Sequence, residues 1–367
     1  MLLISYLYNI WISLIITAPF WNEAFFHFFR FPLYFIIIFL SLILYFLSPI
    51  YLFFISKRRK LSFQKILMIF FITLGISTYI VLGILIAQGI IYEKYLVSRI
   101  VLTLFLFLPL LIIFNDCYDE EKFKGSIIFF SALGIFLSIC NIEYIFYALK
   151  NVSRTVFFSN PISISVLAGF ILISTINIRK NIYKVPFFIF SIFSLFLGLS
   201  RGPIVALFLS LFLTNLKKRK QLKILILLLL IFVFIVVIRH LTTGEANIFS
   251  REKYISTALN ILNENIFFGY GLASSWKYLG IYPHNFIIQI FFEGGLVSFM
   301  LFYFVLVLIF LKISKHTSLI SQVSLYCTFI LLFSFDYSKM WSLLILLYSL
   351  LILECKRYVN ISKYRIH

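Results

Sequence analysis

Long apolar runs separated by short polar connections are the feature that most limits what this chain can fold into. A transmembrane helix needs roughly 20 consecutive apolar residues. Runs of this kind lie near 2–20, 32–55, 66–90, 99–114, 126–148, 161–178, 185–199, 203–216, 222–239, 285–311, 319–335 and 341–354. We therefore expect an all-α fold, a polytopic integral membrane helical bundle of about 12 transmembrane helices, the shorter of which need neighbours that bury their ends.

The composition excludes an ordinary soluble domain. Of 367 residues, 62% are hydrophobic and 12% are charged. Soluble domains carry about 25% charged residues. The polar groups are too few to cover the apolar surface, so lipid must act as solvent, and membrane lipids are expected partners. We expect residues 1–367 to form a single transmembrane domain.

Basic clusters set the orientation of the spans. Each pair of successive clusters is separated by an even number of proposed spans, so all of them can lie on one side of the membrane. The positive-inside rule makes that side cytoplasmic. This asymmetry accounts for most of the net charge of +19 without a nucleic-acid partner. The clusters are Lys57-Arg58-Arg59-Lys60, Arg179-Lys180, Lys217-Lys218-Arg219-Lys220, Lys312 with Lys315, and Lys356-Arg357.

Residues 240–283 form one long outward segment among otherwise short connections. Long loops inside compact architectures are usually functional. Its Gly269-Tyr270-Gly271 predicts a tight turn or a backbone that approaches a ligand closely. Arg251 in the same segment, and the outward Arg154, can bind an anion or remain solvated surface charges.

The motif Tyr282-Pro283-His284-Asn285 stands where this segment meets the next span. Proline suits the first turn of a helix. Asn285, Gln289 and Glu293 recur every four residues and share one helix face. Glu293 would lie about 12 Å below Asn285 at a rise of roughly 1.5 Å per residue. A buried carboxylate at that depth indicates either a functional site or a polar stripe that joins helices.

A second motif, Ser200-Arg201-Gly202, separates the short seventh and eighth runs. These runs are two half-length helices or one bent element, and the choice changes the number of spans. The guanidinium of Arg201 suits pyrophosphate oxygens. The alternative is an interfacial arginine that reaches to lipid headgroups.

In their order along the chain, these motifs resemble the O-antigen polymerase and ligase superfamily of bacterial surface-polysaccharide enzymes. The resemblance rests on Arg201, Arg251, the Gly269–Gly271 turn, His284-Asn285 and, after nine intervening residues, Gly295. It covers residues 185–311. Ile266 departs from the family, which usually has proline there.

The resemblance implies a C-type glycosyltransferase-like bundle in the bacterial inner membrane, with its active site and the 240–283 loop facing the periplasm. The implied donor is an undecaprenyl-pyrophosphate-linked oligosaccharide, with no cofactor and no metal. The catalytic residues would be His284, Arg201 and Arg251. The substrate-binding residues would be Asn285, Gly269, Gly271, Glu293 and Arg154.

Three functions fit this pattern to different degrees. A polymerase transfers the growing glycan to a lipid-linked repeat unit, with a chain-length regulator protein as a possible partner, whereas a ligase transfers it to lipid A core. The short chain and the absence of a second large outer segment favour the polymerase. A polysaccharide flippase is the rival from another class, and it predicts internal pseudo-symmetry, which this sequence does not show.

Overall fold

The computed structural model describes residues 2–56, 107–114, 117–140, 161–178, 181–198, 200–215, 256–271, 274–279, 286–313 and 318–333. These residues form helices and their connections, with no strand among them, which agrees with the predicted all-α class. The helices are α1 Leu2–Thr17, α2 Asn22–Phe29, α3 Leu33–Ser56, α4 Leu108–Phe114, α5 Glu120–Ile139, α6 Pro161–Ile176, α7 Asn181–Gly198, α8 Arg201–Asn215, α9 Ser274–Leu279, α10 Phe286–Ile313 and α11 Leu319–Phe333.

Within these described ranges, three helical stretches are long and apolar enough to cross a membrane. They are Leu2–Phe20, Glu120–Ile139 and Ile287–Phe304. The pair Asn22–Phe29 and Leu33–Ser48 passes the same test together, although the two helices are bent by 98°. The predicted spans near 66–90, 222–239 and 341–354, and most of the one near 99–114, lie outside the described residues. The predicted count of about 12 spans stays a prediction.

The chain divides by its contacts into two compact units. The first comprises Met1–Leu47, Asp116–Gly244 and Ser314–Ile330, and the second comprises Ser48–Asn115, Glu245–Ile313 and Leu331–His367. The prediction of one transmembrane domain over residues 1–367 stays a prediction.

In the first unit, α6 is the helix that the others surround. It packs against α5, α7 and α8, and its residues from Ser163 to Ile176 are buried on every side. A helix that is apolar all round belongs in an interior. Gly169 lets Tyr326 of α11 reach the α6 backbone, because a Cβ at that position would overlap the tyrosine ring.

Polar contacts hold the ends of these helices. Asp119 caps α5 by accepting hydrogen bonds from the backbone N–H groups of Glu121 and Lys122. Asn9 of α1 donates to the Cys117 carbonyl over 3.1 Å and accepts from the Asp119 N–H over 3.2 Å. The start of α5 is thereby fixed to α1.

Three sequence expectations differ in detail from the structure. The predicted turn Ser200-Arg201-Gly202 begins earlier, since α7 ends at Gly198 and α8 starts at Arg201 itself. The fifth predicted span, expected from residue 126, begins six residues earlier, at Glu120. Asp119 caps the helix there, and the positive end of the helix dipole favours the acidic residues of the first turn. The predicted loop 240–283 contains helical turns over 256–262 and Ser274–Leu279.

Candidate active site

The candidate site lies in the second unit, where helix α10 is broken at Gly295. The break has φ 65° and ψ −165° at this residue, a conformation that favours glycine. Sequence analysis predicted an uninterrupted span over 285–311. The structure divides α10 into an N-terminal part that ends at Gly294 and a longer C-terminal part that begins at Leu296.

A segment of the predicted outer loop fills this break. In an unbroken helix the N–H groups of Leu296 and Val297 would donate to the carbonyls of Phe292 and Glu293, four residues earlier. Here Leu296 N–H donates to the Ile266 carbonyl over 2.8 Å and Val297 N–H donates to the Phe267 carbonyl over 3.2 Å.

The two freed carbonyls are satisfied by the same segment. Phe292 accepts from the Tyr270 N–H over 3.0 Å, and Glu293 accepts from the Gly271 N–H over 2.8 Å. Two helical hydrogen bonds are thus replaced by four bonds to the loop. Buried backbone N–H and carbonyl groups require such pairing. We name this arrangement the glycine clasp and define it as residues 266–271 together with 292–297.

Glycine is required on both sides of the clasp. Gly269 has φ 68°, and a Cβ there would lie 2.6 Å from the Gly295 nitrogen and from the Phe292 carbonyl oxygen. A Cβ at Gly295 would overlap the Phe267 carbonyl group and lie 2.5 Å from the Phe268 nitrogen. No larger residue fits either position without moving the backbone. The two glycine motifs of the sequence are therefore partners in space.

A buried carboxylate lies directly beside the clasp. Glu293 is 2% exposed, and Gln289 and Ser275 are fully buried. The Ser275 hydroxyl donates to Glu293 Oε1 over 2.6 Å, and Gln289 Nε2 donates to the same oxygen over 3.2 Å. Hydrogen bonds from neutral donors offset part of the cost of burying a charge. The Ser274 hydroxyl, also buried, makes no hydrogen bond to any residue that the structure describes.

Aromatic rings pack around Tyr270 of the clasp. Tyr270 stacks on Phe292 with ring centroids 5.3 Å apart and also contacts Tyr278 of α9 at 4.8 Å. Its hydroxyl donates to the Ile261 carbonyl over 2.7 Å. Partial burial and then the nearby Glu264 carboxylate raise the pKa of the Tyr270 hydroxyl above its ordinary value. The hydroxyl therefore stays protonated as a donor at neutral pH.

The clasp brings together three of the residues that the sequence singled out, Gly269, Gly271 and Glu293. The Gly269 N–H donates to Asn265 and the Gly271 N–H donates to Glu293, so these amides bond within the chain. Their predicted role in substrate binding stays a prediction. The geometry itself supports a role in positioning the loop.

For the other predicted site residues, a place in the site stays a prediction. Arg201 is the first residue of α8, in the first unit. Arg154, Arg251, His284 and Asn285 lie outside the described residues. In the part of the chain that the structure describes, no group of three or more His, Cys, Asp or Glu side chains could hold a metal ion. The prediction of metal-free chemistry stays a prediction.

Sequence analysis missed Ser275 as the partner of Glu293. The pair Ser274-Ser275 follows the Gly271 turn closely, where serine is common at a helix start. That position predicts a cap and says nothing of a residue 18 positions away. The contact depends on the clasp, which folds α9 back onto α10.

Comparison with known proteins gives one family match. A family model described as O-antigen ligase matches residues 186–303, about a third of the chain. The matched range contains Arg201, Arg251, the clasp and His284-Asn285, and it leaves out Arg154. Neither the curated proteins nor the solved structures give a match. The match supports membership of the superfamily that the sequence motifs resemble.

Proposed function

We propose that the chain is an O-antigen polymerase, because residues 186–303 match a family model of the O-antigen polymerase and ligase superfamily. In this proposal it transfers an undecaprenyl-pyrophosphate-linked glycan onto a lipid-linked repeat unit. The reaction takes place at the periplasmic face of the bacterial inner membrane. The family and the apolar helices support a glycosyl-transfer enzyme of the membrane, and the donor and the acceptor are part of the proposal.

The glycine clasp is the observation that carries the proposal furthest. Residues 280–285 join the end of α9 at Leu279 to the start of α10 at Phe286. Both flanking helices are fixed to each other by Ser275 and Glu293, and the preceding turn is fixed to α10 by the clasp. The two helices that flank Pro283-His284-Asn285 in the sequence are therefore fixed to each other, and we propose that this constraint keeps His284 in place. A general base needs such a constraint to stay in reach of its proton.

The proposed chemistry is a single displacement at the anomeric carbon. The acceptor hydroxyl oxygen forms the new glycosidic bond while the bond from the anomeric carbon to the pyrophosphate oxygen breaks. The leaving undecaprenyl pyrophosphate keeps the electron pair, and the hydroxyl proton passes to His284. Attack from the face opposite the leaving group inverts the anomeric centre.

Arginines stabilise the charge that develops on the leaving group in this proposal. Arg201 and Arg251 bind the pyrophosphate oxygens, which removes the need for a metal ion. Asn285 and Arg154 bind further polar groups of the substrate. Gly269, Gly271 and Glu293 form the wall of the site, and a chain-length regulator protein is the proposed protein partner.

The test is complementation of a deletion strain, read on a lipopolysaccharide gel. Loss of a polymerase leaves lipid A core capped with one repeat unit, and the intact gene restores the ladder. We expect His284→Ala, Arg201→Lys and Arg251→Lys to abolish the ladder at normal membrane levels. His27→Ala, on α2, is the matched control and should restore it. A full ladder from His284→Ala would overturn the assignment of His284 as the base.

A ligase is the second candidate, because the matching family model is itself described as O-antigen ligase. Both enzymes need the same base and the same pyrophosphate-binding residues, so they differ only in the acceptor to which the glycan is transferred. Loss of a ligase leaves bare core while lipid-linked polymer accumulates. Loss of a flippase also leaves bare core, but single repeat units then remain on the inner leaflet.

Purified protein gives an independent check of the donor and of the metal. Vesicles containing the protein and only undecaprenyl-pyrophosphate-linked repeat units should yield longer lipid-linked glycans if the chain is a polymerase. Elongation should continue in excess EDTA. Elongation that stops in EDTA and resumes with Mg²⁺ would contradict the metal-free mechanism.

A further inference from the structure

Three consecutive apolar side chains of the predicted periplasmic loop are exposed. Ile266, Phe267 and Phe268 are 41%, 61% and 65% exposed, although they belong to a segment rich in polar residues. We name them the Ile-Phe-Phe tip. Their backbone is not loose, because the clasp bonds the Ile266 and Phe267 carbonyls to α10. The exposure is therefore a fixed feature of the fold.

The Ile-Phe-Phe tip continues the exposed apolar face of α10. Immediately after the break, Val297, Met300 and Leu301 are 45%, 58% and 62% exposed. Val297 is bonded directly to Phe267 through its N–H. One apolar surface thus runs from α10, whose residues Ile287–Phe304 are a candidate membrane span, onto the loop.

The length of α10 gives the depth of this surface. Lys312, in its last turn, belongs to a basic cluster assigned to the cytoplasmic side. Lys312 lies 17 positions after Gly295, which at a rise of 1.5 Å per residue corresponds to about 25 Å. The hydrocarbon core of a bilayer is about 30 Å thick. The break, and the tip bonded to it, therefore fall within the outer half of the hydrocarbon, inside the candidate span Ile287–Phe304.

We propose that the Ile-Phe-Phe tip is a membrane anchor that inserts among the acyl chains of the outer leaflet. The predicted 240–283 loop would then return to the bilayer at residues 266–268, with its backbone satisfied by the clasp. Aromatic side chains are favourable at this level of a membrane. The anchor holds the residues that precede His284 at the membrane surface. It does not depend on whether the chain is a polymerase or a ligase.

Spin labelling in lipid vesicles tests this anchor. A nitroxide is placed at Phe268 in a chain whose four cysteines are replaced, and its collision rates with O2 and with a water-soluble nickel chelate are compared. A label at Met300 is the lipid-exposed control, and a label at Asn263, exposed on the same loop, is the aqueous control. We expect Phe268 to match Met300, with O2 collisions exceeding nickel collisions several-fold. A match to Asn263 would overturn the proposal.

A second measurement uses the native cysteines and therefore does not depend on their replacement. Benzoylphenylalanine at Phe267 should crosslink, on illumination in vesicles, to phospholipid and add the mass of one lipid to the protein. The same substitution at Asn263 should give little lipid adduct. A crosslinked dimer as the main product would identify the tip as an interface between two copies and would equally overturn the membrane anchor.

Discussion

The Ser275 hydroxyl donates a 2.6 Å hydrogen bond to the Glu293 carboxylate, and both side chains are buried. This contact ties α9 to α10 across the clasp. It also gives Glu293 a role that needs no contact with substrate. Removal of the serine leaves a buried carboxylate with one donor fewer, and a hydrogen bond to a charged group contributes about 1.5–3 kcal/mol.

We predict that Ser275→Ala lowers the thermal stability of the purified protein and reduces polymer formation. Glu293→Ala should be worse, because it leaves both Ser275 and Gln289 without their acceptor. Glu293→Gln is the informative variant, since its amide oxygen still accepts from Ser275. It should keep most stability and activity if Glu293 only positions the loop. A stable but inactive Glu293→Gln protein would show that the carboxylate charge acts on the substrate.

Alanine at Gly269 or Gly295 should disrupt the clasp. Each adds a Cβ that overlaps backbone atoms of the opposite segment of the clasp. Both positions also have a positive φ, which costs roughly 1–2 kcal/mol for any other residue. We expect each variant to lose about 2 kcal/mol or more of unfolding free energy, as is usual when overlap and strain combine. The measurement is the melting temperature in detergent, together with the polysaccharide ladder.

Gly125→Ala is the matched control for these variants. Gly125 lies in α5, and a Cβ there meets nothing within 4 Å. Alanine is favoured over glycine inside a helix by about 1 kcal/mol. Gly125→Ala should therefore leave stability unchanged or raise it. Equal losses at Gly125, Gly269 and Gly295 would mean that the clasp contributes nothing specific.

A polar chain of contacts in the first unit gives a prediction that does not involve the active site. Lys124 is 5% exposed, and its ammonium group donates to the Asn177 carbonyl over 3.1 Å and to Glu121 over 2.7 Å. The Asn177 amide donates to Gln322 of α11 over 2.8 Å. These contacts join α5, the end of α6 and α11.

We expect Asn177→Leu and Gln322→Leu each to lower the free energy of unfolding by about 1–2 kcal/mol, because each removes the hydrogen bond between the two amides. Combined, they should cost less than their sum, because both substitutions remove the same contact. Unfolding of the two single variants and the double variant in detergent measures this coupling. Strict additivity would show that the 2.8 Å contact carries no energy.

Hydropathy predicts much of the helical framework but not its details. The predicted span near 2–20 corresponds to α1 and the 3-10 turn Ala18–Phe20 that follows it, and the span near 32–55 corresponds to α3. The intervening α2 was not predicted, since eight residues are too few to show a helical period. Its end at Arg30, with φ 61°, and the bond from the Leu33 N–H to Asn22 make the sharp bend to α3.

The sequence predicts only part of the candidate site. The sequence indicates that Gly269, Gly271 and Gly295 are unusual, because glycine runs inside an apolar span or beside it need a cause. It cannot indicate that Gly269 and Gly295 meet each other. That contact replaces two local helical bonds by four long-range ones, and local patterns contain no information on such exchanges. Ser275 was missed because its partnership depends on the same exchange.

The contact between Gly169 of α6 and Tyr326 of α11 gives the last prediction. Both residues lie in the buried core of the first unit, and the tyrosine ring also packs edge-on against Phe170 at 5.4 Å. A Cβ at position 169 would overlap the ring, with Cε1 at 2.7 Å among the overlapping atoms. Gly169→Ala should therefore cost about 1–3 kcal/mol through overpacking. Tyr326→Leu removes the ring and should cost a similar amount by leaving a cavity.

In the double variant the new methyl group occupies part of the space that the ring leaves. Its loss of stability should be smaller than the sum of the single losses by about 1 kcal/mol or more, as expected for residues in direct contact. Melting temperatures of the four proteins in detergent measure the difference. Gly125→Ala in the Tyr326→Leu background should show no such compensation, because a Cβ at Gly125 has no neighbour within 4 Å. Compensation at Gly125 as large as at Gly169 would contradict the packing of α11 on α6, since Gly169 contacts the ring and Gly125 does not.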